Sequence, residues 1–222
     1  MKNWLKSNRG FITFLLLFGL FRGAVADWNP IPSGSMRPTL LEGDVVLVNR
    51  VAYDVKVPFS NTILAHVSDP QRGDVVTFDS PSDGTRLIKR IVGLPGDHIE
   101  MHNERVFVNG QPLDYVAPDH EAEALVPGRW VETVRLTERL GARAHRMQVM
   151  PALRARRDVG PLVVPQGQYY MLGDNRDNSA DSRYFGFVPR ALLIGRAHHV
   201  LVSADILGHW QLRPQRFAEP II

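Results

Sequence analysis

Hydrophobic positions fall along this chain in two patterns. The first is one apolar run, Phe11 to Phe21, broken only by Thr13 and Gly19 and preceded by the cations Lys2, Lys6 and Arg9. As a helix that run alone reaches about 16 Å. Extended from Gly10 to Trp28 it reaches about 28 Å, close to the roughly 30 Å of a bilayer's hydrocarbon core. Trp4 and Trp28 would sit at the two interfaces, and Arg22 would snorkel to the outer one. The pattern predicts a transmembrane anchor over 10–28, with residues 1–9 in the cytoplasm and everything after Trp28 outside. The same stretch ends in Arg22-Gly23-Ala24-Val25-Ala26, whose small residues also suit a signal peptide cut after Ala26.

The second pattern is a series of short β-branched or aromatic runs: Val45 to Val48, Asp74 to Phe78, Leu87 to Val92, Val106 to Val108 and Tyr169 to Leu172. Gly-Asp, Pro-Gly and Asn-Gly turn signals bound them, with Asn109-Gly110 a hairpin turn candidate. The run Leu136 to Met150 reads as two strands around Leu140-Gly141. No long helical period appears after the N-terminal run, so the exported part is predicted to be mostly β.

Candidate chemistry begins at Ser33-Gly34-Ser35-Met36, held between Pro32 and Pro38. Gly34 permits close approach to a substrate carbonyl, and the prolines stiffen the loop that presents a hydroxyl. A serine needs a base. Lys89 can serve if burial lowers its pKa, and strand alternation places it with Leu87 and Ile91 on one face, opposite Ile88, Arg90 and Val92. Taken singly, Ser33 and Ser35 read as turn hydroxyls and Lys89 as an exposed edge lysine.

Four boxes reverse that reading together: PSGSMRPTLLEGD at 32–44, RGDVVTF at 72–78, IKRIVGLPGD at 88–97 and GDNRDNSADSRYFGFVP at 173–189. In order and spacing they resemble the conserved boxes of bacterial type I signal peptidases, serine proteases with a Ser-Lys dyad. The resemblance implies a β-barrel-like catalytic core with a small inserted β domain and one N-terminal transmembrane helix. It divides the chain into the anchor 10–28, core segments 29–97 and 165–205, an insertion over 98–164 and a tail over 206–222. It implies Ser35 as nucleophile and Lys89 as general base. The Ser33 hydroxyl and the Ser35 backbone N–H would hold the oxyanion, and Ser179 would orient the lysine. Asp177, Asp181, Arg176 and Arg183 would form a structural network around the Ser179 loop.

By the same resemblance an extended signal peptide adds main-chain hydrogen bonds beside the nucleophile segment and the lysine strand. Ile31, Met36, Leu40, Leu87 and Ile88 would line the pocket for the residue before the cut. Val46 and Thr77, with Ile31 and Ile88, would shape the pocket two residues further back. Cleavage after small-x-small (Ala-x-Ala) motifs of exported preproteins follows, at the outer face of the bacterial inner membrane, with membrane lipid as a further partner. The first transmembrane helix of some larger relatives is missing, the insertion is short, and Arg37 and Arg86 bring charge near the groove. A pilus or conjugation processing peptidase, or an inactive exported binding protein of the same fold, would be the alternatives.

Composition narrows this little further. The absence of cysteine removes thiol catalysis and Cys-bound zinc. None of the eight histidines falls in the boxes, and His98-Ile99-Glu100-Met101-His102 reads as a solvated strand face, so neither metal nor cofactor is expected. Eight arginines in 129–157 stand against Glu132 and Glu138, a charged surface that could touch anionic lipid. A self-cleaving repressor would also use Ser and Lys but would begin with a DNA-binding domain, so no nucleic-acid partner is expected.

Overall fold

A computed structural model of the chain describes Trp4 and residues 7–58, 60–126, 129–208 and 210–222. Lys2 and Lys6 of the expected cytoplasmic start, and His209, lie outside the described residues. The N-terminal helix α1 covers Arg9–Ala24, 16 residues, and so spans about 24 Å. It stops there because the next residues pair in a sheet. Strand β1 (Ala26–Pro30) runs antiparallel to β2 (Asp44–Asn49), with Trp28 opposite Leu47. The buried Asp27 carboxylate is held by Arg22 at 3.0 Å, Arg86 at 3.4 Å and Arg50 at 3.6 Å. The Trp28 ring lies 5.7 Å from that of Phe18 and 4.4 Å from the Arg22 guanidinium.

The residues that would have completed a 10–28 span are therefore sheet, and the anchor expectation is corrected. No helix among the described residues is long and apolar enough to cross a membrane. The single-pass topology, the inner-membrane placement and the lipid partner rested on that helix and fall with it. Part of the arginine-rich stretch is also engaged within the protein: Arg135 pairs with Glu121 and Glu123, Arg143 with Asp74, and Arg157 with Asp177 and Glu104.

After β2 come β3 (Asp54–Lys56) and β4 (Ile63–His66), a small two-stranded sheet, then β5 (Val75–Asp79) and β6 (Arg86–Gly93). Strands β7 (His98–His102), β8 (Arg105–Val108) and β9 (Gln111–Pro112) follow, then β10 (Asp114–Val126), β11 (Arg129–Leu140), β12 (Arg143–Val149) and β13 (Val159–Val163). The chain closes with β14 (Gln168–Leu172), a one-turn helix over Ser182–Phe185, β15 (Val188–Pro189) and β16 (Leu193–Ser203). The runs read as strands in the sequence lie in β2, β5, β6, β8 and β14. Asn109 and Gly110 both take positive φ, 55° and 76°, in the tight turn joining β8 to β9.

The principal sheet is seven-stranded and antiparallel, in the order β1-β2-β16-β5-β6-β14-β15. It does not close into a barrel, which corrects the fold the resemblance implied. Its two end strands each carry a proline, Pro30 and Pro189, which has no N–H to donate, and β15 is only two residues long. A second gap lies inside the sheet. β14 pairs with β6 only at Arg90, Ile91 and Gly93, so residues 86–89 of β6 have a strand partner on the β5 side alone.

Two further sheets, β13-β7-β8-β9 and β10-β11-β12, form from residues between β6 and β14. They share a core with the principal sheet: Ile99, Met101, Val106 and Leu140 pack with Val92, Tyr170 and Leu172. His98 and His102 are exposed on β7, with His102 Nε2 3.4 Å from Glu100. Among the described residues no group of three or more His, Cys, Asp or Glu is arranged to hold a metal ion.

Candidate active site

Two cores position the site. Ile31, Met36, Leu40 and Val46 pack with Val48 and Val75, with Ile88 against them. Met36 and Leu40 are wholly buried, which fixes the loop between β1 and β2 by its apolar side chains. Ser33 is extended (φ −136°, ψ 153°) and Gly34–Met36 form a 3₁₀ turn, closed by the Arg37 N–H on the Gly34 carbonyl at 3.1 Å. The turn leaves Ser35 half-buried and Ser33 exposed, with their hydroxyl oxygens 3.5 Å apart.

Lys89 comes to this turn from β6, in register with Val76. It is 2% exposed, and its Nζ donates to Ser35 Oγ at 2.7 Å and to the Ile88 carbonyl at 3.0 Å. Burial lowers its pKa from 10.5 to about 8, with Asp181 and Asp174 pulling the other way. An ammonium in this place loses its hydration, which favours the neutral amine.

A third segment, residues 173–183, clamps the turn. Asn175 Nδ2 donates to the Gly34 carbonyl at 3.0 Å, and the Asn175 N–H to the Ser35 carbonyl at 3.1 Å. Ser179 is buried nearby, but its Oγ has no hydrogen-bond partner and does not bond Lys89. Asp181 accepts from Gly173 N–H at 3.0 Å and from Arg183 Nε at 2.8 Å. Asp177 accepts from the Met150 N–H at 2.8 Å, and Arg176 binds Glu138 at 2.6 Å. Arg90, beside Lys89 in β6, makes a two-pronged pair with Asp174 at 2.8 and 2.7 Å. His145 joins this buried group, 3.4 Å from Glu138 and 3.6 Å from Asp174. Burial and Arg90 lower its pKa to about 4, so it is neutral.

Gly173 leaves no room for a side chain. A Cβ there would stand 2.2 Å from Ser179 Oγ and 2.6 Å from the Ser35 carbonyl oxygen. Gly173→Ala is expected to displace the nucleophile turn and lower kcat/KM about 10²-fold, since misplacement by roughly 1 Å has that effect. Steady-state assays on a variant shown to be folded by circular dichroism check this.

The remaining sequence candidates divide. Ile31, Met36, Leu40, Val46 and Ile88 are brought together. Leu87 is not: it packs with Tyr53, Val76, Phe78 and Ile91 in the other core. Thr77 is buried opposite Ile88, its hydroxyl 3.5 Å from the Gly195 carbonyl. Arg37 is neutralised by Glu42 at 2.7 Å and by Glu123. Sequence reasoning attached no chemistry to Asn175, Gly173, Asp174 or Arg90, although all four fall in the matched boxes. It had no signal for Glu138 beyond its being one of two acids among many arginines.

A serine hydroxyl bonded to a buried lysine, beside an open sheet edge and with no histidine among the described residues bonded to either, is the equipment of a serine hydrolase that uses an amine as its base. Comparison with known proteins gives the family. The family model described as "Signal peptidase, peptidase S26" matches residues 1–202. The chain is 38% identical over 212 residues to the signal peptidase I of Pseudomonas fluorescens, covering 88% of this chain and 72% of that one. The signal peptidase I of Pseudomonas aeruginosa gives the same identity and coverage. A probable signal peptidase I-2 of Synechocystis is 34% identical over 203 residues, covering 87% of this chain and 71% of that one. The chain belongs to the signal peptidase I family.

Proposed function

We propose that Ser35 and Lys89 carry out the signal-peptide cleavage of this serine peptidase, and that the enzyme cuts after small-x-small motifs. One observation carries the assignment: the 2.7 Å contact between Ser35 Oγ and the Nζ of a lysine that is 2% exposed. Neutral Lys89 takes the proton from Ser35 Oγ as that oxygen attacks the scissile carbonyl carbon. The Ser33 hydroxyl and the Ser35 backbone N–H hold the resulting oxyanion. As the tetrahedral intermediate collapses, the C–N bond breaks and the Lys89 ammonium returns the proton to the leaving amine. Water then attacks the acyl-serine, with Lys89 again the base, and Ser35 is regenerated. The unpartnered Ser179 Oγ is free to accept from the ammonium formed during the cycle.

The substrate lies between β1 and residues 86–89 of β6, where strand edges are unpaired. Ile31 and Ile88 wall the pocket for the residue before the cut, with Met36 and Leu40 behind them. Val46 and Thr77 back the pocket two residues earlier. Asp177, Asp181, Arg176 and Arg183 hold the segment that clamps the nucleophile turn. Segments 29–97 and 165–205 form the catalytic core, and 98–164 is an insertion that shares its packing.

The deciding experiment incubates purified protein with a preprotein bearing an Ala-x-Ala site and sequences the new N-terminus. A cut elsewhere, or none, overturns the specificity. The base must be neutral, so kcat is expected to rise about tenfold per pH unit below 8 and level off above it. A profile flat from pH 6 to 9 speaks against Lys89 as base.

A further inference from the structure

The cleft has a second end. Ser35 and Lys89 mark one, and the Arg86–Asp27 contact marks the other, because Arg86 opens β6 and Asp27 lies at the start of β1. The two strands thus run the same way along the cleft, from the charged end towards the nucleophile. At the charged end lies a cavity of about 610 Å³. Arg22, Arg50 and Arg86 line it together with Asp27 and Asp79, and Gly19 and Gly23 of α1 form its wall.

Three guanidinium groups share two carboxylates there. Asp27 is nearly buried, with its side chain 8% exposed, and it is already engaged by Arg22 and Arg86. The side chains of Arg22 and Arg86 are 48% and 49% exposed, so they face the open space. Burial lowers the pKa of Arg50, with Asp27 and Asp79 pulling the other way and Arg86 adding to the lowering.

Position along the peptide follows from strand geometry. Lys89 is three residues from Arg86, about 10 Å at roughly 3.3 Å per residue. A peptide whose residue before the cut sits at Ser35 reaches Arg86 with about its third residue back, and the next residues overlie the cavity. We propose that this cavity is a subsite for an acidic side chain, Asp or Glu, four to six residues before the scissile bond. The proposal rests on the placement of substrate in the β1–β6 cleft.

The test uses three sets of otherwise identical Ala-x-Ala peptides carrying Glu, Gln or Lys at the fourth, fifth or sixth position before the cut. Wild-type kcat/KM is expected to favour Glu over Lys about five- to tenfold at one of these positions, less at high salt. Arg86→Glu combined with Arg22→Glu is expected to invert that preference. Fluorescence anisotropy of the same peptides bound to Ser35→Ala reads the Glu/Lys affinity ratio without cleavage, so a failed nucleophile assignment leaves this result interpretable. Equal handling of Glu and Lys at all three positions overturns the subsite, as does a preference unchanged by the double reversal.

Discussion

Ser35→Ala and Lys89→Ala are each expected to lower preprotein cleavage by about four orders of magnitude or more while the protein stays folded. Nucleophile and base act as a unit, so removing either removes most of what both provide. Lys89→Arg is expected to be equally inactive, because a guanidinium stays protonated and cannot take the serine's proton. Lys89→Met separates chemistry from stability. Folding holds the Lys89 pKa near 8, against 10.5 in an unfolded chain. The folded state therefore binds fewer protons between those values, and the wild type gains stability as pH rises from 8 towards 10.5, by about 3 kcal/mol in all. A methionine variant has no such gain. Urea unfolding at pH 7 and pH 10 measures the difference, and turnover within tenfold of wild type in any of these variants would sink the Ser-Lys assignment.

The second large effect is on the fold. Arg90 and Asp174 are each 1% exposed, and Arg90 also donates to the Gly73 carbonyl at 2.9 Å. Arg90→Ala leaves the Asp174 carboxylate buried without its cation, which is expected to cost about 3–5 kcal/mol of stability. The sign of the pH dependence should also change. In the wild type Arg90 helps hold the Asp174 pKa below its ordinary value, so the pair stabilises at neutral pH and is lost as pH falls through that lowered pKa. In the variant burial, the largest influence on this carboxyl and one that raises its pKa, is opposed by the Thr39 hydroxyl and His145 without Arg90, so mild acid is expected to relieve the penalty. Chemical denaturation from pH 4 to 8 tests both, and a loss below about 1 kcal/mol would show that the pair is not fully desolvated.

Strands whose residues are β-branched were legible in the sequence, and so was the Asn109-Gly110 turn, because backbone preference and burial agree there. The hairpin β10–β11 was only half seen. Asp114–Val126 mixes His120, Glu121 and Glu123 with Pro118, so nothing in its pattern marks thirteen residues of strand. The anchor was misjudged for a different reason. Apolar length says how far a helix could run, but Ala26 to Trp28 are claimed by pairing with β2, and hydropathy carries no trace of that long-range competition. The barrel-like core came from family resemblance, and the proline-bearing end strands of the sheet do not pair with each other. At the site, Ser35 and Lys89 are 54 residues apart, and only the ordered boxes pointed to their meeting. Alternation along β6 placed Arg90 away from Lys89, but a periodicity cannot name Asp174 as its partner.

The unpaired edges of β1 and of residues 86–89 set a limit on how firm this enzyme can be made. Each edge leaves backbone donors and acceptors to water that a complete ladder would satisfy, and each is a place where a second chain could add. Pro30 and the charges of Asp27 and Arg86 discourage such additions without filling the gap. Substitutions selected for heat resistance could lengthen β14 to cover residues 86–89, and the resulting protein would melt later and turn over less. Thermostable variants that keep full activity should therefore carry their changes elsewhere, in the cores beneath Met36 and around Tyr170.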